Sequence, residues 1–412
     1  MRATLIRAVA CSFIVVLLAL GFVEGLAWVF TPQWPAYVLR PEPLPISAIR
    51  QWEAGMPDVK FAFNSWQMRD RERSVAKPKG LALRGVFIGD SLLDGSFSRA
   101  SIPARIEAAL HARGGDDVEA INLGVTATGP VEYYYRLQRV ALYLSPDVVV
   151  MVLFAGNDFV YRSFDDESAM PRLADELPRP SILGSILPHT TWLGRRLLHL
   201  AAPVEGGALP DEQATVNAAI DLPGAERVRV LSNYMKEHYF PSLDQVQIAE
   251  ILSRGSDAFW AAFGPRRSDR EFLLSGFIRQ MIASEAAPPA APATADPAAV
   301  AGTLSWIAAA DRLAKAHGVR FLVAIAPVPL VDPDFVAFWR PWPRYNDFSL
   351  QGDSAHRAVV AALVNTSIGV IDLRDDLEGV RGAYRKSDMH WTERGNDIVS
   401  ERFARELFKL RK

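Results

Sequence analysis

The sequence predicts an α/β protein, with parallel strands flanked by helices in three layers. Two observations carry this. Residues 148–154 (Val-Val-Val-Met-Val-Leu-Phe) and 319–326, the latter apolar but for Arg320, are runs of strand length, as expected for buried strands. Between such runs lie stretches with helical spacing, and this alternation implies a parallel sheet.

In chain order, a first strand is expected at 85–88, ending in Gly-Asp-Ser, then a helix at 102–111 and a short strand at 118–122. A helix at 131–144, closed by Ser145-Pro146, leads to the strand at 148–154. Residues 160–300 break the alternation. They hold a Pro-rich loop, an amphipathic piece at 192–200, helical stretches at 243–263 and 271–283, and an Ala/Pro stretch at 285–299 that reads as a surface linker. This region is expected to be a helical insertion capping the sheet's rim, or else a separate domain. Alternation resumes with a helix at 304–317 closed by Gly318, the strand at 319–326, a helix at 354–364 and a strand at 369–373. Thr392 can cap a last helix running to about residue 410.

The chain has 412 residues, of which half are hydrophobic, with 45 Lys and Arg against 47 Asp and Glu. No dense basic block is present, which argues against a nucleic-acid partner. The single cysteine, Cys11, excludes an intramolecular disulfide and a cysteine-based zinc site. There is no metal-ligand spacing and no Walker-type phosphate loop, so no cofactor or metal is expected.

Cys11 lies in an uncharged run from Ala8 to Val23, interrupted by Glu24 and resumed at residues 26–30. The run at 8–30 suits a single membrane-spanning helix, which needs roughly 20 apolar residues. Arg2 and Arg7 precede it, so the positive-inside rule leaves the N-terminus in the cytoplasm and places the rest on the periplasmic side of the inner membrane. A cleaved signal peptide is the alternative, although no small-x-small cleavage site follows the run. The expected organisation is an anchor at 1–30, an irregular lead-in at 31–80 rich in Pro, Trp and charge, and one domain at 81–412 with an insertion at about 160–300.

Four segments could carry chemistry. Gly89-Asp90-Ser91-Leu92 follows the first strand and would stand a serine hydroxyl at the rim. Asn122-Leu123-Gly124 follows the second strand, and Ala155-Gly156-Asn157-Asp158 the third. Asp388-Met389-His390-Trp391-Thr392 precedes the last helix, and a histidine near a carboxylate can act as a base held in one tautomer. Taken singly, each is as well explained by an N-cap or an ordinary turn. All four, however, fall at strand ends or helix starts in a chain with a parallel-sheet pattern.

In this order the segments resemble the SGNH hydrolases, also called GDSL esterases and lipases. The match runs over roughly 60–160 and 304–410. Asn64-Ser65-Trp66-Gln67-Met68-Arg69-Asp70 resembles the lead-in of membrane-anchored bacterial members. Asp388-x-His390-Trp391-Thr392 with Gly395 resembles the ending of those members and of the exopolysaccharide-acetylation relatives that act on alginate-type polymers. The resemblance implies a flavodoxin-like SGNH fold. It implies Ser91 as nucleophile, His390 as base and Asp388 as orienting acid, with an oxyanion hole from the Ser91 and Gly124 N–H groups and the Asn157 amide. The usual block has Asp three residues before His, where this chain has Ser387; Asp372, Asp375 and Asp376 are the other candidate acids. The implied activity is hydrolysis of an ester, such as an O-acetyl group, on a cell-envelope glycan, lipid or related substrate. The alternatives are an O-acyltransferase acting on a polysaccharide and a non-catalytic envelope or glycan-binding protein.

Overall fold

The structure is a computed structural model. It describes residues 2–30, 63–64, 68–95, 98–126, 128–159, 218–261, 274–287, 294–386 and 389–411, with short pieces at 164, 187, 189–191, 193–194 and 215–216. Several sequence expectations therefore lie outside the described residues: Asp388, the lead-in up to 62 with Ser65 to Gln67, most of the amphipathic piece at 192–200, and the middle of the Ala/Pro stretch.

Five strands form one parallel sheet in the order β2-β1-β3-β4-β5. They are β1 (Leu83–Gly89), β2 (Val118–Gly124), β3 (Val148–Phe154), β4 (Arg320–Ala326) and β5 (Gly369–Asp372). Side chains alternate across a strand, so β3 feeds two cores. Val148, Val150 and Val152 join one cluster with Phe87, and Val149, Met151 and Leu153 join the other with Val86 and Ile88.

Helices cover both faces through apolar residues four apart. On the first face, α3 (Ile102–His111) buries Ile102, Ile106 and Leu110, and the last helix, α13 (Glu393–Leu410), buries Val399, Phe403 and Leu407. The short α2 (Ser91–Asp94) precedes α3, and the short α12 (Arg374–Leu377) precedes α13. The second face is covered by α4 (Pro130–Arg139) and α9 (Pro297–Ala316), and by α11 (Asp347–Val364) through Val359 and Leu363. Thr392 caps α13 by accepting from the Gly395 N–H, as its sequence suggests.

Several elements differ from expectation for local reasons. The helix expected over 131–144 ends at Arg139; Val140 leaves helical geometry, and a 3₁₀ turn over Ala141–Leu144 closes at Ser145 with a left-handed φ of 52°. The stretch 243–263 is two helices, α6 (Gln245–Ser253) and α7 (Asp257–Ala261), parted at Gly255. A Cβ there would lie 2.6 Å from the Trp260 indole nitrogen. The linker expected up to 299 gives way to α9 at Pro297, because Asp296 caps the Ala298 N–H and proline suits the first helical turn. Helix α5 (Gly224–His238) was not anticipated. It and α6, α7 and α8 (Leu274–Ala286) put Leu231, Met235, Ile248, Trp260 and Ile282 into the same buried cluster as the first sheet face. There they meet Trp339 of α10 (Pro333–Trp339) and Trp342.

The N-terminal run forms α1 (Arg2–Phe30), with large apolar side chains exposed along it, among them Leu18, Phe22 and Phe30. Among the described residues, which include α1 side chains at 11, 12 and 14–30, no helix is long and apolar enough to cross a membrane. The expected spanning segment thus forms a helix, but its crossing a bilayer finds no support there.

The lead-in is less irregular in its contacts than its composition suggests. Its end lies along the free edge of β2, where backbone groups have no neighbouring strand. The Asp70 carboxylate accepts from the Asn122 N–H, Arg73 donates to the Ala120 carbonyl, and Glu107 of α3 accepts from the Ala120 N–H. An edge is thus closed by side chains instead of a sixth strand. Arg73 is fully buried and bridges Asp70 at 2.7 Å, Glu107 at 2.6 Å and Glu119 at 3.2 Å; Glu119 also pairs with buried Arg84 at 2.8 Å. Burial pushes the Asp70 carboxyl up despite Arg73, whereas for Glu107 the Arg73 and Arg71 bonds outweigh burial and hold it below its ordinary value. Replacing Arg73 with Met would strand these carboxylates. Urea unfolding is expected to register a loss of about 3–5 kcal/mol, and a loss under about 1 kcal/mol would show that the network is not holding this edge.

Candidate active site

The order β2-β1-β3-β4-β5 places the switch in winding direction between β1 and β3, and in open α/β sheets the crevice at that point receives ligands. Ser91 directly follows the turn after β1, and Asn157 follows β3, so the two stand on either side of the crevice.

Four observations build the nucleophile turn. The Asp90 carboxylate caps α2 by accepting from the Leu92 N–H at 2.9 Å. Gly95 ends α2 with a left-handed φ of 78°, and a Cβ there would lie 2.7 Å from Ser101 Cα, so only glycine serves. Buried Arg69 donates to the Gly95 and Ser98 carbonyls, locking the loop after α2 to the lead-in. Desolvation lowers the Arg69 guanidinium to about 10. Buried Arg136 of α4 donates to the carbonyls of Gly89 (3.3 Å) and Leu123 (3.2 Å), joining the ends of β1 and β2.

The imidazole comes from the far end of the chain. His390 Nε2 lies 2.8 Å from Ser91 Oγ, across 299 residues of sequence. Its turn is held on both sides. Arg385 donates its N–H to the His390 carbonyl at 2.9 Å, Thr392 donates to Ala383, and Tyr384 and Trp391 form an antiparallel bridge. Beneath them the buried Asp332 carboxylate accepts from the Gly382 N–H (3.1 Å) and the Tyr384 N–H (3.0 Å). A Cβ on Gly395 would meet the Ala383 carbonyl oxygen at 2.3 Å, so this glycine lets α13 approach the turn.

Asn157 is exposed, and its Nδ2 donates to Asp90 Oδ2 at 3.0 Å, which leaves its second amide N–H for a ligand. The turn carrying it is tight. Asp158 accepts from the Phe154 N–H at 2.7 Å and from the Tyr133 hydroxyl at 3.1 Å. Burial pushes the Asp90 carboxyl up, against the pull of Asn157, the Leu92 N–H and His390. Burial and then the Asp90 charge push Asp158 well above the usual carboxylate range. Both groups brace turns.

Not every expected residue arrives in its expected part. The Gly124 N–H donates to Asn122 Oδ1 at 2.8 Å, so it is committed within the protein and is not presented to the crevice. What Gly124 provides is space: a Cβ there would lie 2.7 Å from the Asp94 nitrogen, so α2 packs directly on the β2 backbone. Of the other carboxylates, Asp372 bonds His356 at 2.8 Å, Asp376 pairs with Arg405 at 2.9 Å, and Asp375 is exposed; these contacts turn Asp372 and Asp376 away from the His390 role. The expected acid Asp388 lies outside the described residues. Arg136 and Asp332, and the bracing role of Arg69 within its lead-in segment, are not legible in the sequence, because each acts on backbone carbonyls or N–H groups distant along the chain. Among the described residues, no group of His, Cys, Asp and Glu could hold a metal ion.

No family model and no curated protein matches the chain. Among solved structures, a GDSL-like lipase from Bacteroides thetaiotaomicron aligns with a TM-score of 0.34 and 12% identity, over 81% of this chain and 92% of its own. A candidate acylhydrolase from Bacteroides fragilis aligns with a TM-score of 0.33 and 10% identity, over 89% of this chain and 98% of its own. At these values neither alignment bears on activity.

The packing of α2 on Gly124 yields a test. In Gly124→Ala the new methyl must push α2, and with it Ser91, off the β2 end. Turnover on an aryl ester is expected to fall by at least roughly 100-fold, the scale on which a misplacement of about 1 Å acts. Unchanged turnover would show that this contact does not set the serine's position.

Proposed function

We propose that the chain is a serine esterase of the SGNH/GDSL kind, cleaving an acyl ester of a cell-envelope glycan, lipid or related substrate. The observation that carries this reading is the 2.8 Å contact between Ser91 Oγ and His390 Nε2 at the switch point of the sheet. A serine hydroxyl is a weak nucleophile and needs a base within hydrogen-bond reach, which this contact supplies.

The geometry supports the following steps. Ser91 Oγ attacks the ester carbonyl carbon while His390 Nε2 takes its proton. The negative charge on the carbonyl oxygen is met by two donors: the Ser91 N–H, which opens α2 and has no intrahelical acceptor, and the free N–H of the Asn157 amide. The tetrahedral species collapses, the C–O bond to the alcohol breaks, and His390 returns the proton to the leaving oxygen. Asp388 is assigned the orienting role from sequence, as the carboxylate two residues before His390.

Placement outside the cytoplasm is part of the proposal. Residues 14–30 of α1 expose Val15, Leu18, Phe22 and Val29 together, a concentration of apolar surface that marks a membrane or protein contact. Arg2 and Arg7 supply the inside-positive flank. The reading is therefore a domain tethered by α1 at the periplasmic face of the inner membrane.

Two measurements test these assignments. Ser91→Ala is expected to abolish release of acid from an aryl acetate with no change in thermal midpoint, and Asn157→Ala to lower kcat by about 100–1,000-fold; an active Ser91→Ala protein would overturn the mechanism. A chain whose residues 1–30 are replaced by a cleavable secretion signal is expected to leave the membrane fraction for the soluble periplasmic extract, and its retention on membranes would remove α1 as the tether.

A further inference from the structure

We infer that Asn396 positions the water that hydrolyses the acyl-enzyme, which would make the chain a hydrolase and not a transferase. The inference rests on the roles proposed above for Ser91 and His390.

Between α2 and the first turn of α13 lies a narrow pocket of about 10 Å³, room for a single water, walled by Ser91, Leu92, Gly95, Ser98, His390, Trp391 and Asn396. Asn396 is only 4% exposed. Its backbone N–H donates to the Thr392 carbonyl at 2.9 Å, but among the described residues its carboxamide makes no hydrogen bond. The residue is buried but its amide atoms are not sealed from solvent, so a small partner entering the pocket that Asn396 lines can bond to them. Ser98 adds polarity to the same wall. Its hydroxyl donates to the Ala100 carbonyl at 2.5 Å and so keeps lone pairs for a donor.

The chemistry of the niche selects its occupant. An alkyl chain would leave the Asn396 amide unsatisfied. A water would accept from the amide N–H or donate to its oxygen, donate to Ser98, and still face His390. That is the two to four polar partners a bound water takes. The niche also touches both reacting residues, so an occupant stands beside the acyl group that Ser91 Oγ would carry.

The step balances. After the alcohol has left, the acyl group is on Ser91 Oγ and His390 is neutral. The water oxygen bonds to the carbonyl carbon as Nε2 takes one of its protons. The bond from carbon to Ser91 Oγ breaks, that proton passes to Oγ, and the free acid departs carrying the water oxygen. Asn396 gains and loses no proton.

The test uses the full chain, 4-nitrophenyl acetate and methanol as a competing acceptor. In Asn396→Leu, similar in size and apolar, the nitrophenol burst that reports acylation is expected to stay within about threefold of wild type. Deacylation is expected to slow by roughly tenfold, the loss of one hydrogen bond of about 1.4 kcal/mol. The ratio of methyl acetate to acetate is expected to rise. Asn396→Ala removes the amide without adding bulk and carries the test if the leucine variant folds poorly; its deacylation is expected to slow in the same direction. An unchanged deacylation rate in both variants would overturn the role of Asn396. Burst and steady-state rates falling together would also overturn it, since the niche would then hold the acyl group. If the wild type shows a burst that Ser91→Ala retains, the nucleophile assignment itself has failed, and the inference falls with it.

Discussion

The rim depends on one topological constraint, the reversal of winding between β1 and β3. Connections between parallel strands are right-handed, so successive crossovers carry helices to opposite faces once the chain changes direction along the sheet. The loops leaving β1 and β3 then part, and the ends of the two central strands are left uncovered. Ser91 and Asn157 are the residues that follow those ends, and the Asp90 carboxylate, bonded to the Leu92 N–H and the Asn157 amide, ties one loop to the other across the gap.

Around this gap the backbone is packed closely enough to leave little play. Gly124 lies against the Asp94 nitrogen and Gly395 against the Ala383 carbonyl, while Gly352 of α11 lies against the Ala155 carbonyl. In each case a methyl group would overlap main-chain atoms that cannot swing aside. Charged groups complete the frame from beneath: Arg136 on the carbonyls before the β1 and β2 turns, Arg69 on the loop after α2, and Asp332 on the turn before His390. Each is a buried ion bonded to backbone, an arrangement that specifies position because any displacement strands a charge away from water.

Elements differed in how readily they could be read. Residues 148–154 declared a buried strand because seven successive apolar residues suit no exposed element, and α13 declared itself through Thr392 and the spacing of Val399, Phe403 and Leu407. Helix α5 did not, because its charged residues mask a narrow stripe at Leu231 and Met235 that becomes apolar surface only against α6. The Ala/Pro stretch misled for the opposite reason: Asp296-Pro297 is a helix start, but alanine alone carries no periodicity to show it. Ser91, Asn157 and His390 were legible as turn residues after strands or before a helix. The commitment of the Gly124 N–H to Asn122 was not, since the same Asn-Leu-Gly segment can point its N–H either way.

From its residues alone, this chain determined its class: alternating apolar runs and amphipathic stretches can bury their surface only as a parallel sheet between helices, and glycine, serine and asparagine mark where that sheet turns. Only the tertiary structure decided which hydroxyl meets which imidazole, which N–H groups are already taken, and that Asn396 lines the same pocket. The physical reason is range. Periodicity and capping act over a few residues and are written locally, whereas a 2.8 Å contact between residues 299 positions apart is set by strand order and close packing.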